Sequence, residues 1–481
     1  MLSPLPTAKW TEETAAHLLN RAGFGGTPAE IKAFATAPQA TAVDRLLAFE
    51  EVKSLPTCAT ADADRAERIK KAASLSGPEK QKLRQEEQRR QRELLVELRQ
   101  WWLQRMLTAP NAFQEKLTLF WHGHFATSAQ KVRDAHLMWR QNQLFRTEGL
   151  GTWRTLLTKV SQDPAMLVWL DQAQSRKQSP NENYARELME LFTLGEGNYT
   201  EKDVTEAARA LTGWSYDRLH QRFANRPALH DREPKTIFGK TGNWDGHDVI
   251  RLILEKPQAS RFITAKLWSF FAGEAPEPSL NDALAATFRA SGHEFKPLLR
   301  TMLLSEEFYA SKLIRNQVKS PVQWLVGSAN LLERGLPPTP MTQGVLRTLG
   351  QDLLLPPNVK GWDGGLSWIT TSNLLTRNNF AAFLVTGANP LAKAPGGKGK
   401  KGRRSMGFSG GADVAKLFTP EELKDKIKLL AALEKRFIQA RLREKQRQLI
   451  HDYLNAQGQL DQQDVLHAMR LIMSTPDYQL A

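Results

Sequence analysis

The polar and apolar residues of this chain recur mainly with the period of an α-helix. In the stretch 11–22, for example, the apolar positions are Ala15, Leu18, Leu19 and Ala22, which share one helical face. Glycines and prolines separate such stretches, and only the short run 235–238 has the pattern of an extended segment. The pattern predicts an all-α fold, a large multi-helical domain whose loops are rich in Gly, Pro and Trp.

One glycine-rich stretch divides the chain. Residues 389–412 combine glycines with lysines and arginines and are predicted to form a basic linker. The part before it, 1–388, has no equally clear break and is predicted as one helical domain with a charged helical insertion at about 60–106. The part after it, 413–481, has the pattern of a charged C-terminal helical hairpin and is predicted as a helical tail.

The positive charge is concentrated in two places. The chain has 481 residues and a formal net charge of +15. In the insertion, acids and bases alternate, which is typical of a solvated helix surface. In the linker, the run 398–404 has five cations with no acid nearby, and they are Lys398, Lys400, Lys401, Arg403 and Arg404. Such a loop either binds an anionic polymer or simply adds solubility, whereas no nucleic-acid-binding module is recognisable.

Several classes of protein are disfavoured by what the sequence lacks. No apolar run is long enough for a transmembrane segment, and the start of the chain does not have the pattern of a signal peptide. By sequence alone we therefore expect a cytoplasmic protein. Cys58 is the single cysteine, so a multi-cysteine metal site is excluded. A divalent metal, if one is bound, must be held by oxygen and imidazole ligands.

The segment 181–214 contains the richest set of polar residues. Two helices joined by a short glycine turn are predicted here, and they should pack as a hairpin. On the first helix the polar side chains share one face, and they are Asn183, Arg186, Glu187 and Glu190. Two carboxylates three residues apart can bind a metal or share a proton. Alternatively, this is an exposed face with Arg–Glu ion pairs.

Two histidine motifs are further candidates. His122 and His124 lie at the predicted end of a helix, where Gly123 is a plausible C-cap. His124 could be a ligand or catalytic group, or could form a hydrogen bond with a buried backbone group. His230 and Asp231 are adjacent, as in helical metal phosphohydrolases, but prolines on both sides place this pair in a loop.

Tryptophans in the glycine-rich stretch 356–368 allow two interpretations. Trp362 and Trp368 resemble the aromatic residues on which sugar rings stack. Equally, aromatic residues in such a loop often attach it to the protein core. Both interpretations remain open from the sequence.

Six segments carry motifs that resemble a single bacterial family, domain of unknown function 1800. The segments are HLLNRAGFGGTP (17–28), LFWHGHFATS (119–128), DPAMLVWLD (163–171), NENYARELMELFTLGEGNYTEKDVTEAARALTGW (181–214), HDREPKTIFG (230–239) and PPNVKGWDGG (356–365). The resemblance runs from about residue 11 to residue 388, and the 181–214 motif is its most specific part.

The resemblance implies a mostly helical protein but no reaction. Many members are exported or envelope-associated, and their genes are often next to those of a sulfatase-like family, domain of unknown function 1501. The residues at the signature positions are His124, Asp163, Asp171, Asn181, Asn183, Arg186, Glu187, Glu190, Glu206, Arg209, Trp214, His230, Asp231, Lys235 and Trp362. A role as partner of the sulfatase-like protein is therefore one hypothesis.

The leading hypothesis is an enzyme with a polar or metal-binding site that acts on an anionic or polysaccharide-type substrate. Its expected catalytic residues are Glu187, Glu190, His124, His230 and Asp231. Its expected substrate-binding residues are Arg186, Asn183, Lys235 and Trp362. The alternatives are a non-catalytic partner or scaffold of the sulfatase-like neighbour and, with less support, a binder of nucleic acid or another anionic polymer.

Overall fold

The computed structural model describes residues 2–60, 62, 64–388 and 410–481. Within these ranges the chain forms 24 α-helices and only four short β-strands, so the all-α prediction is confirmed. Most of the predicted linker, including its five cations at 398–404, lies outside the described residues. The division of the chain at 389–412 therefore stays a prediction.

Sixteen helices precede residue 305, with capping side chains or prolines at many of their first turns. They are α1 Glu12–Ala22, α2 Pro28–Thr36, α3 Gln39–Leu46, α4 Arg65–Ser74, α5 Gly77–Thr108, α6 Ala112–His124, α7 Ala129–Val132, α8 Ala135–Glu148, α9 Trp153–Ser161, α10 Pro164–Trp169, α11 Glu182–Met189, α12 Glu201–Ala210, α13 Gly246–Leu254, α14 Pro257–Ala272, α15 Pro278–Ala290 and α16 Phe295–Leu304. A π-helical turn, Glu190–Leu194, extends α11.

The remaining eight helices complete the described fold. They are α17 Pro321–Leu331, α18 Thr339–Thr348, α19 Thr371–Thr386, α20 Val414–Leu417, α21 Pro420–Lys424, α22 Lys426–Leu433, α23 Glu444–Ala456 and α24 Gln462–Met473. A second π-helical turn, Glu434–Ile438, follows α22. No helix in the described ranges combines the length and the apolar character needed to cross a membrane.

Two small antiparallel hairpins lie between α12 and α13. In the first, β1 Trp214–Asp217 pairs with β2 Arg222–Asn225. In the second, β3 Lys235–Ile237 pairs with β4 Lys240–Gly242, which agrees with the extended pattern seen at 235–238. The first hairpin was not predicted, because four-residue strands carry too little alternation to stand out from a loop.

Two large hydrophobic clusters hold the helices together. The first is built from residues between Leu5 and Leu313 and includes Trp121, Trp153 and Trp268, each 0–2% exposed. The second joins α5 and α17–α19 to the C-terminal helices, with Trp102 and Tyr478 among its buried members. The C-terminal segment thus shares a core with helices from the first hundred residues.

Candidate ligand-binding cleft

A cleft of about 1030 Å³ lies between the end of α6, the length of α14 and the loop that precedes α19. We call it the basic cleft. Its charged lining residues are Lys116, Arg261, Lys266, Lys360 and Asp363, and its aromatic ones are Phe120, His124, Phe262, Phe270, Trp362 and Trp368. Asn and Gln side chains fill much of the remaining wall. Of the described residues that line the cleft, Asp363 is the sole carboxylate.

A contact between two glycines fixes the loop against α6. Gly361 has φ +88°, and a Cβ at this position would lie only 2.4 Å from the Gly123 carbonyl oxygen. Any side chain at 361 would therefore displace the loop. Gly123 itself lies inside α6, which continues to His124, so the predicted C-cap at Gly123 is wrong. The helix end provides a docking point for the loop that carries Lys360 and Trp362.

His124 is a buried, neutral imidazole in the wall of the cleft. Its Nε2 lies 3.0 Å from the Phe192 carbonyl oxygen, which is the backbone hydrogen bond that the sequence allowed as an alternative to a catalytic role. Because a carbonyl only accepts, Nε2 carries the proton and Nδ1 does not. Burial and the nearby Lys266 lower the pKa of His124 well below its ordinary value. Nδ1 has no hydrogen-bond partner.

His122 points away from His124, although the two are separated by a single residue. Alternate residues on a helix are about 200° apart around its axis. The His122 Nε2 contacts the Asn142 amide nitrogen at 3.1 Å, and its ring packs against Trp102 and Phe145. The two imidazoles therefore do not form one H-x-H site.

The π-helical turn after α11 shapes the wall next to His124. Its Phe192 carbonyl oxygen accepts from His124, and its Leu191 carbonyl oxygen lies 3.4 Å from the Lys266 ammonium. Extra residues in a helical turn redirect carbonyl groups, and such turns are frequent at functional sites. Burial lowers the pKa of Lys266, whose ammonium also lies 4.9 Å from the centre of the Phe262 ring.

Glu187 and Glu190 lie near the edge of the cleft. Neither lines it, but Lys360, which does, is close enough to influence the Glu187 carboxyl. Burial and the neighbouring Glu190 raise the pKa of Glu187, and Lys360 and Arg186 offset part of this shift. Glu190 accepts a 2.6 Å hydrogen bond from the Tyr199 hydroxyl.

Arg186 and Asn183 lie on the outer face of the same hairpin. Arg186 forms a two-pronged ion pair with Glu201, with both N–O distances 2.6 Å. This agrees with the interpretation of the segment as an exposed face with Arg–Glu pairs. Asn183 is exposed in the first turn of α11. The predicted substrate-binding roles of these two residues stay predictions.

The His230–Asp231 loop forms a separate group of charges, which we call the Asp231 network (Glu206, Arg209, Asp231 and Lys235). Arg209 donates to Asp231 at 2.7 Å and to Glu206 at 3.0 Å. Although burial alone would raise it, the pKa of Asp231 is lowered by the Arg209 hydrogen bond and charge. Glu206 in turn accepts from the Thr236 backbone nitrogen at 2.8 Å. Every charge on α12 facing β3 thus has a partner.

Lys235 and His230 attach the same loop to the backbone. Lys235 is 1% exposed, and its ammonium donates to the carbonyl oxygens of Asp231 and Glu233 at 2.6 and 2.9 Å. The His230 Nδ1 lies 3.0 Å from the Thr212 carbonyl oxygen. In the described part of the chain, none of these contacts reaches Glu187, Glu190 or His124. The grouping of His230 and Asp231 with those three residues in one site stays a prediction.

The ligands that a divalent metal would need are not grouped in the described residues. Nowhere in the described ranges do three or more His, Cys, Asp or Glu side chains come together as ligands. Cys58 is buried, and burial and the charge of Glu97 raise the pKa of its thiol to about 12. The structure thus gives no ligand set to the divalent metal considered from the sequence.

Sequence reasoning missed the cations and rings of the cleft. Lys116, Arg261, Phe262, Lys266 and Phe270 lie on the helices α6 and α14, which read from the sequence as ordinary amphipathic segments. The one available signal was a lysine among apolar residues of the same helix, which indicates a buried cation, and Lys116 fits this description.

The fold and the cleft define a multi-helical protein with a basic, aromatic-lined cleft. The chain belongs to the family described as protein of unknown function (DUF1800), whose model matches residues 17–480. The match confirms the resemblance and extends into the C-terminal helices. No curated protein and no solved structure matches the chain.

Proposed function

We propose that this protein binds an anionic, carbohydrate-type ligand in the basic cleft. The observation that carries the proposal is the composition of the cleft wall, where four cationic side chains and one carboxylate stand among aromatic rings and amides. Clefts of this size are typical of small-molecule and oligomer sites. The excess of cations selects for carboxylate, sulfate or phosphate groups, which lysine and arginine bind.

The aromatic and amide groups favour a sugar over a simple ion. Trp362 and Trp368 are half-buried in the loop above α6, where their rings can stack on the apolar face of a sugar. Amides such as Gln258 and Asn281 can both donate to and accept from hydroxyl groups. These features support the polysaccharide-type interpretation of Trp362.

The acid–base residue that fits this proposal is Glu187. A carboxyl whose pKa is raised by burial and by a second carboxylate keeps its proton to a higher pH than a free carboxyl does, which suits it to act as a proton donor. Lys360 connects it to the cleft, since this lysine lines the wall and also acts on the Glu187 carboxyl. On this view the enzyme performs its chemistry at the edge of the cleft near the Glu187–Glu190 pair.

The test compares dextran sulfate with dextran, which share one backbone and differ in charge. We expect the full chain to bind dextran sulfate and to bind dextran at least about tenfold more weakly, measured by calorimetry at physiological salt. The double variant Lys266→Ala/Lys360→Ala should lose most of this affinity, since two cations leave the cleft wall.

A charge-matched control separates the cleft from general positive charge. Lys428→Ala/Lys445→Ala removes two cations from the C-terminal helices α22 and α23, away from the residues that line the cleft. It should leave affinity nearly unchanged. Equal loss in both double variants would overturn the proposal. Loss on deleting 396–405, with the cleft variants unaffected, would instead favour polymer binding by the basic linker.

A further inference from the structure

The floor of the basic cleft holds a buried lysine without a carboxylate partner. Lys116 is 3% exposed, and its ammonium donates to the Gln323 side-chain oxygen at 3.0 Å. The rings of Phe24 and Phe270 lie 5.3 and 5.6 Å from it. An amide oxygen and two ring faces solvate an ammonium only in part, and buried charges in proteins are normally paired with an opposite charge.

A second buried cation lies directly behind the floor. Arg21 is 0% exposed, and its Nη2 donates to the Leu313 carbonyl oxygen and to the Asn316 side-chain oxygen. Its Nη1 and Nε have no hydrogen-bond partner. Gly273, which lines the cleft, leaves room for Arg21, since a Cβ there would lie 2.7 Å from Nη1.

The two cations act on each other, and the nearest acid is used elsewhere. Arg21 contributes to lowering the pKa of Lys116 to about 7, after burial, which is the larger cause. Glu274 is the acid that influences Arg21, and it forms a 2.9 Å ion pair with Lys312. The floor of the cleft therefore has an uncompensated positive potential.

The neighbouring residue on α6 shows that this fold does supply partners for buried charges. Glu115 is 0% exposed and lies between Arg146 and Arg105, with N–O distances of 2.8 Å. One residue later, Lys116 faces the cleft instead and has no such partner. The buried charge without a counter-charge is thus the one on the side of α6 that borders the open cleft.

We propose that Lys116, supported by Arg21, forms an oxyanion subsite at the floor of the basic cleft. A carboxylate, sulfate or phosphate group of the ligand would accept a hydrogen bond from the Lys116 ammonium, while Arg21 adds the second positive charge from behind Gly273. The identity of the natural ligand of this subsite rests on the proposed function. Binding of small oxyanions such as sulfate at Lys116 is expected whether or not that function is correct.

The primary experiment measures thermal unfolding of the full chain in sodium sulfate against sodium chloride at equal ionic strength. Sulfate at ten times its dissociation constant should raise the Tm of the wild type by about 1–2 °C relative to chloride. In Lys116→Met the sulfate concentration needed for half of this effect should rise about tenfold or more, because a charge-assisted hydrogen bond is lost. Parallel titrations with phosphate and glucuronate identify the preferred oxyanion.

Lys319→Met is the matched control. Lys319 is also a buried lysine beside an arginine, but it donates to the Tyr478 carbonyl oxygen and does not line the cleft. Its replacement should leave the sulfate shift, measured against that variant's own Tm, unchanged. An equal loss of the shift in both variants, or an unchanged shift in Lys116→Met, would overturn the subsite.

A measurement on the wild type alone covers the case in which Lys116→Met does not fold. Lys116 contacts Phe24, Phe270 and Gln323, and Arg21 is the charged group that acts on it. Sulfate affinity should therefore fall by up to about tenfold per pH unit above pH 7, as the free lysine loses its proton. A sulfate effect that stays constant from pH 6 to pH 9 would contradict the subsite.

The outcomes also separate the subsite from the proposed function. If Lys116→Met loses the sulfate effect while dextran sulfate still binds through residues outside the cleft, the subsite stands and the proposed function fails. If Lys266→Ala/Lys360→Ala loses dextran sulfate but Lys116→Met keeps the sulfate effect, the proposed function stands and the subsite is wrong.

Discussion

The Asp231 network and the floor of the basic cleft are both groups of half-buried or buried charges, yet they are built in opposite ways. In the network, Arg209 has two carboxylate partners. Lys235 donates to two backbone carbonyl oxygens, and the carboxylates of Asp231 and Glu206 also act on its charge. In the cleft, Lys116 and Arg21 have only neutral acceptors. A region whose charges are all paired holds the fold together, whereas one with unpaired cations beside a cavity is prepared for a ligand.

The largest effect is expected from disrupting the close contact between Gly361 and Gly123, which positions the cleft loop. Gly361→Ala should lower the free energy of unfolding by about 3 kcal/mol or more, because φ is +88° and the new Cβ meets the Gly123 oxygen. Dextran sulfate affinity should fall as well, since Lys360 and Trp362 move with the loop. Calorimetry on the folded variant measures both.

Gly365→Ala is the control for the loop. Gly365 also has a positive φ, +58°, but nothing lies within 4 Å of a Cβ at that position. Only backbone strain remains, with a cost of about 1 kcal/mol. Equal ligand affinities for Gly361→Ala and the wild type would show that the loop does not form the ligand-binding wall.

The next largest effect is expected in the Asp231 network, the region whose charges are paired. Asp231→Ala should lower the free energy of unfolding by about 2 kcal/mol, because it removes an ion-pair partner from partly buried Arg209. Urea denaturation measures the loss. The exposed Asp44–Arg300 pair gives a matched variant, Asp44→Ala, for which less than about 1 kcal/mol is expected.

Ligand binding distinguishes the two regions in the same variant. Asp231→Ala should keep the dextran sulfate affinity of the wild type when measured below its Tm. If this affinity is lost while stability is unchanged, the His230–Asp231 loop belongs to the ligand site after all, as the leading hypothesis from the sequence expected.

A pH-dependent effect is expected at Lys116. Its pKa falls from 10.5 to about 7 on folding, so the unfolded chain binds more protons between these values. The stability of the wild type relative to Lys116→Met should therefore rise from pH 7 towards pH 9, by at most about 1.4 kcal/mol per pH unit. Urea midpoints of both proteins at three pH values measure it. Parallel curves would mean that Lys116 titrates normally.

The smallest effect concerns Glu187 at the edge of the cleft. Its pKa is raised in the folded state, so its ionised form is disfavoured there and costs stability above the unfolded pKa of 4.5. Glu187→Gln should therefore be more stable than the wild type at pH 7, by under about 1 kcal/mol because partial exposure screens the charge. The gain should vanish near pH 4.

Exposed Glu196 provides the comparison for Glu187. Glu196→Gln removes a carboxylate from the loop after the same helix and should leave stability nearly unchanged at both pH values. A Glu187→Gln variant that is less stable than the wild type at pH 7 would remove Glu187 as the acid–base candidate.

The local elements were predictable because their signals are local. The helical period and the short glycine turn predicted the α11–α12 hairpin, and the structure has it. The prediction did not include the π-helical turn Glu190–Leu194. A pattern of 3.6 residues per turn does not indicate where one extra residue enters a helix. The orientation of the Leu191 and Phe192 carbonyl groups, which the π-helical turn sets, could therefore not be predicted from the sequence.

The candidate site was only partly predictable. His124 and Trp362 do line one cleft, and Glu187 lies near its edge. The motif at 230–231 was grouped with them because sequence reasoning has no measure of distance between motifs. In the structure, Asp231 pairs with Arg209 on α12, and its place in one site with Glu187 and His124 stays a prediction.

The sequence by itself determined the helical class, the family and the excess of positive charge, since these depend on local periodicity, motifs and composition. Only the tertiary structure decided which charges are paired. Lys116 meets Gln323 across 207 residues of chain, and Arg21 meets Asn316 across 295. The free energy of a buried charge depends on neighbours that arrive from such distances, so no local pattern reveals that these two cations lack a counter-charge.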